Sequence, residues 1–359
     1  MFEVSRAALA NIEVLMRDYQ GEVPGAAVLV SHAGRPLLRR AFGLAALESA
    51  TAATAASAYR LASLSKPFTA AAILLLMQEG ALELEERVCR WLPSLPEAAR
   101  AVTVRHLLTH TSGLIDYEDL IAPGTTRPLR DADVLCLLAS TRRTYFTPGS
   151  RYRYSDSGYA LLALLVEAVS GTDFASFLRR RLFLPLAMHD TVALEEGVSQ
   201  PRARAFGYSR AHGSWSRTDQ SLTSAVLGDG GIYSSVDDLA KWDAALYGAA
   251  PFTRATLDVA FAPATDTDDP MTRYALGWRV TGASVWHSGE TLGFRTALVR
   301  WPRAQLTVGM LSNRSDGEPY SLALAIAKQF LPEADAVRAT RVAVGPDPAA
   351  HPLPLGRSV

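Results

Sequence analysis

Between residues 3 and 20 the apolar side chains Val4, Leu9, Ile12, Leu15 and Met16 recur at helical spacing and predict an amphipathic helix. "GAAVLVSHAGRPLLRRAFG" follows, two apolar runs joined at His32-Ala33-Gly34-Arg35, and predicts a β-hairpin. From about residue 63 to 190 the pattern turns helical. Ser63–Gln78 reads as one long apolar helix and Thr103–His110 as a short one capped by Thr103. Residues 130–142, 157–170 and 173–182 read as three more. In "SSVDDLAKWDAALYG", Ser235 is followed by Asp238 three positions on, the start of another capped helix. Strand patterns return in "YALGWRV", "ASVWH", "RTALVRW" and "QLTVGMLS", the last two joined by a turn at Trp301-Pro302-Arg303-Ala304. A helix over 318–330 closes the pattern.

That order predicts an α+β fold. One antiparallel sheet is drawn from both ends of the chain and flanked by the terminal helices, with an all-helical region inserted between its strands. The expected catalytic unit is a single one over 1–335, with the sheet region about 1–62 and 200–335 and the helical region about 63–199. A site is expected in the cleft between them. Residues 336–359, with Pro346, Pro348, Pro352 and Pro354, read as an extended tail. No internal repeat occurs.

Composition narrows the function classes. A chain of 359 residues, 48% hydrophobic and 20% charged, has ordinary globular character and length enough for a large core. Acidic and basic residues balance at 36 each, and the basic ones form no stripe of the kind nucleic acid requires. No apolar run approaches the roughly 20 residues that span a bilayer, so no membrane partner is expected. The amino terminus mixes charge into its apolar pattern, unlike a signal peptide. Cys89 and Cys136 lie in apolar helical contexts and predict two buried free thiols in a reducing compartment. A cytoplasmic location is the expectation.

One residue choice changes the picture. The chain has thirty-three arginines and three lysines, Lys66, Lys241 and Lys328, and Lys66 stands in "RLASLSKPFTA" three positions after Ser63. At a helix start that spacing puts both side chains on one face. A serine hydroxyl needs a base to become a nucleophile. Arginine is no base, because it stays protonated, whereas lysine serves if its pKa is lowered from about 10.4. The helix start also offers free backbone N–H groups for a developing oxyanion. Pro67 falls in the first turn, where its missing N–H costs least. Alone, S-x-x-K also arises by chance on an ordinary helix.

Further segments follow in order: "TVRHLLTHTSGL" (103–114), "FTPGSRYRYSDSGYALLALLVEAVSG" (146–171), "GDGGIYSSVDDLAKW" (228–242) and "VWHSGETLGF" (285–294). With S-x-x-K they resemble the serine β-lactamase and penicillin-binding-protein superfamily from about residue 20 to 330. The branch around class C β-lactamases, which also holds esterases and D-amino-acid peptidases, is the most similar. The resemblance implies a β-lactamase/transpeptidase-like fold, with Ser63 acylated, Lys66 its partner and Tyr154 the second base and proton shuttle. It implies an oxyanion hole from the backbone N–H groups of Ser63 and Glu290. Asp156 stands where the family usually has asparagine, and His287-Ser288-Gly289 matches its Lys-Thr-Gly segment. Asp156, His287 and Gly289 are thus the substrate-side candidates, with no cofactor and no metal. An ionised Asp156 accepts hydrogen bonds and cannot donate them, which disfavours the acylamino side chain of penicillins and suits a substrate amine. Its charge also favours the ammonium form of Lys66. His287 is mostly neutral at pH 7, a modest anion anchor unless a carboxylate such as Glu290 charges it, and is expected to donate toward a carbonyl or Tyr154.

Weaker signals have simpler readings. His106 and His110 are four apart, as in zinc sites, but Leu107 replaces the glutamate of H-E-x-x-H, so packing or capping is expected. "GDGG" lacks the lysine and following helix of a phosphate loop and reads as tight turns beside the sheet. Ser65 reads as a local hydrogen-bonding residue. No G-x-S-x-G elbow is present. The expected activity is that of a carboxylesterase-like serine hydrolase on a small ester, amide or β-lactam, with weak β-lactam hydrolysis. A D-amino-acid peptidase or a β-lactamase is the near alternative, and a penicillin-binding or sensory protein with little turnover is a further one. A zinc hydrolase using the histidines is the reading from another class.

Overall fold

A computed structural model of the chain describes residues 4–248 and 250–331. Its main sheet has eight strands: β1 (Ala26–His32), β2 (Arg35–Phe42), β3 (Thr265–Asp266), β4 (Thr272–Tyr274), β5 (Arg279–Thr281), β6 (Ser284–Thr291), β7 (Phe294–Trp301) and β8 (Leu306–Ser312). Their order is β3-β4-β5-β6-β7-β8-β1-β2, antiparallel throughout. The join between the two ends of the chain is the β1–β8 pair, running from Ala26↔Ser312 to His32↔Leu306. The β1–β2 hairpin turns through Ala33 and Gly34, both left-handed at φ 53° and 72°, which suits the twist of the flanking strands.

Both faces of the sheet are covered, which explains why β1 is an unbroken apolar run. Val28, Val30, Val299, Val308 and Met310 pack on Ile12 of α1 (Arg6–Leu15), on Met16 just after it, and on Leu324 and Ala327 of the last helix (Pro319–Ala327). Ala27, Leu29, Leu298 and Leu311 face the other way, into a larger core shared with the helical region. The centre of that region is α2 (Lys66–Gln78). Every residue from Lys66 to Leu76 is buried, so this helix has no polar face. Around it lie α3 (Val104–Leu108), α4 (Asp131–Ser140), α5 (Asp156–Ser170) and α6 (Phe174–Leu178), and α7 (Val236–Ala245) packs on the sheet. Thr103 and Ser235 cap their helices as their spacing predicts.

The structure departs from the pattern in four places. Ser63 precedes the long helix. Residues Ala62–Ser65 form a tight 3-10 turn, and α2 starts at Lys66 with Pro67 in its first turn. "YALGWRV" is two strands, because Gly277 takes φ 81° and its neighbours Ala275 and Trp278 close a turn against α2. The cysteines are free but not buried: Cys89 is half-buried and Cys136 exposed. Short elements escaped the pattern altogether, among them the hairpin Tyr208–Ala211/Ser214–Arg217, the helix Arg254–Phe261 and the small sheet joining Tyr59–Arg60, Ile232–Ser234 and Val192–Ala193. Two- and three-residue strands hold too few side chains to reveal a period. The proline-rich tail lies outside the described residues. No single described helix is long and apolar enough to cross a membrane.

Candidate active site

Ser63 sits half-buried on the 3-10 turn, directly after Ala62, whose φ of 50° is a strained left-handed value for a residue with a Cβ. One turn on, Lys66 is fully buried. Its Nζ donates to Ser63 Oγ at 2.9 Å and to the Asp229 carbonyl at 3.1 Å. It also stands 2.6 Å from Asp156 Oδ1, an ion pair not aligned as a hydrogen bond. Two of the ammonium's three N–H groups are thus spent on Ser63 and Asp229, and Asp156 balances its charge. Burial alone would pull the Lys66 pKa down. The carboxylate of Asp156, with Tyr154 and Asp229, outweighs it and holds the amine above its ordinary value. A buried cation without such partners would be costly.

Asp156 is the first residue of α5, where the helix dipole favours an anion, and its side chain keeps 27% of its surface open. Asp116 holds it in place, accepting from the Asp156 N–H at 2.7 Å and the Glu118 N–H at 3.1 Å. Burial, then the charge of Asp156, raises Asp116 to about 6 and Glu118 to about 7. Asp229 accepts from the Tyr117 hydroxyl at 3.0 Å. Burial, then the charge of Asp156, pushes its carboxyl well above the usual carboxylate range. The "GDGG" segment is therefore a working part of the site and not a turn beside the sheet. Leu227–Gly230 is one helical turn whose carbonyls take the Lys66 amine and, through Gly228, the Thr69 hydroxyl at 2.6 Å. Asp131 caps it, accepting from the N–H groups of Leu227 and Gly228 at 2.9 and 3.0 Å.

Tyr154 lies just before α5, its ring centre 4.9 Å from Lys66 Nζ. Burial raises its phenol, against the pull of Lys66 and Arg279. Arg279 stands on β5 with its guanidinium 5.4 Å from the Tyr154 ring centre.

The opposite wall is β6. A Cβ on Gly289 would fall 1.9 Å from the Leu61 carbonyl oxygen and 3.0 Å from the Leu64 nitrogen. Only glycine lets the strand come this close to the Ser63 turn. The Thr296 hydroxyl, opposite Gly289 in the sheet, donates to the same Leu61 oxygen at 2.7 Å. Glu290 follows, its carboxylate paired with Arg295 and so not with His287. His287 differs from expectation. It is 1% exposed, and its Nδ1 lies 2.6 Å from the Ser288 carbonyl, which can only accept, so the ring proton is there. Nε2 then accepts from the Tyr274 hydroxyl at 3.0 Å. Both nitrogens are engaged inside the wall, and the contact sought with Tyr154 goes to Tyr274. Burial, with Arg279 and Lys66, keeps the imidazole neutral, its pKa well below the ordinary value.

Of the other residues weighed from the sequence, Ser65 accepts from the buried Ile232 N–H at 3.2 Å, a local role. His106 Nδ1 accepts from the Thr103 N–H and His110 Nδ1 from the Ser155 N–H, each at 3.2 Å, which accounts for both without a metal. Among the described residues no three or more His, Cys, Asp or Glu side chains gather in a way that could hold an ion. Asp116, Glu118, Asp229 and Arg279 were not foreseen. "HTSGLIDYEDL" carries the acidic signal, but nothing local says that it folds against α5.

A serine, a lysine one turn on and a tyrosine ring beside that lysine, against a strand of an antiparallel sheet, are the arrangement of a serine hydrolase of the β-lactamase/transpeptidase-like fold. The chain belongs to the Beta-lactamase family, whose profile matches residues 9–330. It is 32% identical to penicillin-binding protein 4* of Bacillus subtilis over 85% of this chain and 71% of that protein. It is 29% identical to the D-aminopeptidase of Brucella canis over 92% of this chain, and spans 64% of that protein's length. Among solved structures its fold is similar to the octameric penicillin-binding protein homologue from Pyrococcus abyssi, with TM-score 0.78 at 24% identity, covering 90% and 76% of the two chains.

Proposed function

We propose that the chain hydrolyses small esters and amides through an acyl-enzyme on Ser63. The observation that carries this is the 2.9 Å contact between Ser63 Oγ and the buried Lys66 amine. At rest the lysine is charged and the serine accepts its hydrogen bond. Attack requires the amine form: Ser63 Oγ adds to the substrate carbonyl, its proton passes to Lys66, and Tyr154 relays it to the leaving group. The developing oxyanion meets the N–H groups of Ser63 and Glu290, and water then releases the acyl group. Carboxylesterase-like activity on uncharged acyl esters, with weak β-lactam hydrolysis, is supported by a neutral, buried His287 and an acceptor-only Asp156.

A second reading has its own observation. The part-exposed Asp156, with Asp116 and Glu118 behind it, suits an acyl group that bears an ammonium, as a D-amino-acid amide does. The likeness to a D-aminopeptidase supports the same reading. The two free thiols support a reducing, cytoplasmic location. The test is covalent labelling of Ser63 by a fluorophosphonate, followed by turnover of p-nitrophenyl esters, D-amino-acid anilides and a chromogenic cephalosporin. A long-lived penicillin adduct with no turnover of any substrate would replace the hydrolase reading by that of a penicillin-binding sensor. No labelling of Ser63 at all would overturn both.

A further inference from the structure

His110 lies just past the end of α3, at 2% exposure and with a left-handed φ of 57°. Its carbonyl oxygen accepts from the Arg153 N–H at 2.9 Å, and its Nδ1 accepts from the Ser155 N–H at 3.2 Å. The chain is thus fastened to one histidine on both sides of Tyr154. The two rings lie 4.3 Å apart at a tilt of 31°. Accepting at Nδ1 places the ring proton on Nε2, which is buried without a hydrogen-bond partner among the rings of Tyr152, Tyr159 and Tyr274.

That unpartnered N–H is informative. Burying one costs about 1–3 kcal/mol. Phenylalanine would fill the space without it, and asparagine would suit the left-handed backbone better. Neither offers a flat ring against Tyr154 and an acceptor aimed at Ser155 together. Burial, with the charges of Lys66 and Arg279 nearby, keeps the imidazole neutral, so Nδ1 remains an acceptor. We propose that His110 is a positioning residue for Tyr154: it clamps the backbone on either side of the tyrosine and stacks on its ring, so that the phenol stays beside Lys66. This rests on the role given above to Tyr154.

The test is a double-mutant cycle on a short-chain p-nitrophenyl ester, with folding checked by thermal melting. Tyr154→Phe should lower kcat about 100-fold or more. His110→Phe, which keeps a ring and loses the acceptor, should lower kcat about tenfold with KM within about two-fold. In the Tyr154→Phe background it should cost nothing further, because it acts through the hydroxyl already removed. His110→Asn, which restores an acceptor, should stay within about three-fold of wild type. Should His110→Phe fail to fold, His110→Asn takes its place in the cycle, with a two- to three-fold loss (roughly, as for one weakened contact) seen only when Tyr154 is intact. A His110→Phe loss repeated in full without the tyrosine hydroxyl would overturn the proposal, as would wild-type kcat in that variant. Wild-type kcat in Tyr154→Phe would instead remove the role of the tyrosine itself.

Discussion

On the helical wall of the cleft, the groups beside Ser63 are ionisable and tied to one another or to the backbone: Lys66 to the Asp156 carboxylate and the Asp229 carbonyl, Asp116 to the start of α5, Asp131 to the turn that holds the lysine. On the strand wall charge stands farther back, with the Arg279 guanidinium of β5 beside the Tyr154 ring. Gly289 contributes an absence of side chain, Glu290 is turned to Arg295, and His287 is neutral with both nitrogens engaged. The helical wall works by the placement of charge and the strand wall by the approach of backbone. Changes of protonation chemistry should therefore be felt on one wall and changes of volume on the other.

The largest effects belong to the helical wall. Ser63→Ala should abolish labelling by a fluorophosphonate and all turnover. Ser65→Ala should keep measurable turnover, since it loses one buried local hydrogen bond, a stability cost of about 1 kcal/mol. Lys66→Arg should be nearly as damaging as Lys66→Ala, each lowering kcat about 1,000-fold or more, because a permanent cation accepts no proton. An arginine variant with wild-type turnover would break the account of this wall.

The strand wall is tested by volume alone. Gly289→Ala changes no charge, yet its methyl would overlap the Leu61 oxygen and must lever β6 off the Ser63 turn. With one oxyanion donor displaced, kcat should fall about 100-fold or more, while the pH–rate profile keeps its shape. A shifted profile would mean that the two walls share their electrostatics.

The same contrast explains what was legible. The hairpin, the helix caps and the Ser63–Lys66 spacing rest on local chemistry, and each appears in the structure where its residues stand. The Lys66–Asp156 contact was also readable, because both motifs carry their own signatures. Asp229 was not, since its importance comes from burial against α2 and α5, sixty or more residues from either nearby motif (roughly, by sequence separation). "YALGWRV" misled because its apolar run is continuous and only the φ of Gly277 breaks it. His287 misled for a related reason: its motif position was visible, and the tyrosine that donates to it, Tyr274, is thirteen residues away on another strand.

A smaller effect sharpens the charge side. The Asp156 carboxylate is the chief influence holding Lys66 as an ammonium against its burial. The active form is the amine, so turnover of a neutral ester should climb with pH, its rising limb on the alkaline side. Asp156→Asn should move that limb to lower pH by about one unit or more, a difference of about 1.4 kcal/mol per unit. It should also raise β-lactam acylation relative to ester hydrolysis, because an amide donates to an acylamino carbonyl and a carboxylate does not. A limb that stays in place would show that Asp156 does not set the state of the lysine. A ratio that falls or stays constant would remove its part in selectivity.

The smallest expected effect is a flat line. If His287 charged between pH 8 and 6, a carboxylate-bearing cephalosporin should gain on a neutral ester of similar acyl size as the pH falls. The structure argues against this. The ring is enclosed, its Nδ1–H donates to the Ser288 carbonyl, and its Nε2 accepts from Tyr274, so a second proton would break that bond. Arg279 and Lys66 oppose a further positive charge, and burial opposes it more strongly. Taking the ratio of kcat/KM for the two substrates cancels the shared loss of general base at low pH. That ratio should stay within about two-fold from pH 8 to 6, less than the roughly 1 kcal/mol that a new ion pair at a partly exposed site supplies. A several-fold rise toward pH 6, lost in His287→Asn, would mean that the imidazole turns out of the wall to meet substrate. The strand wall would then carry a titrating charge after all, and the contrast between the two walls would fail at this residue.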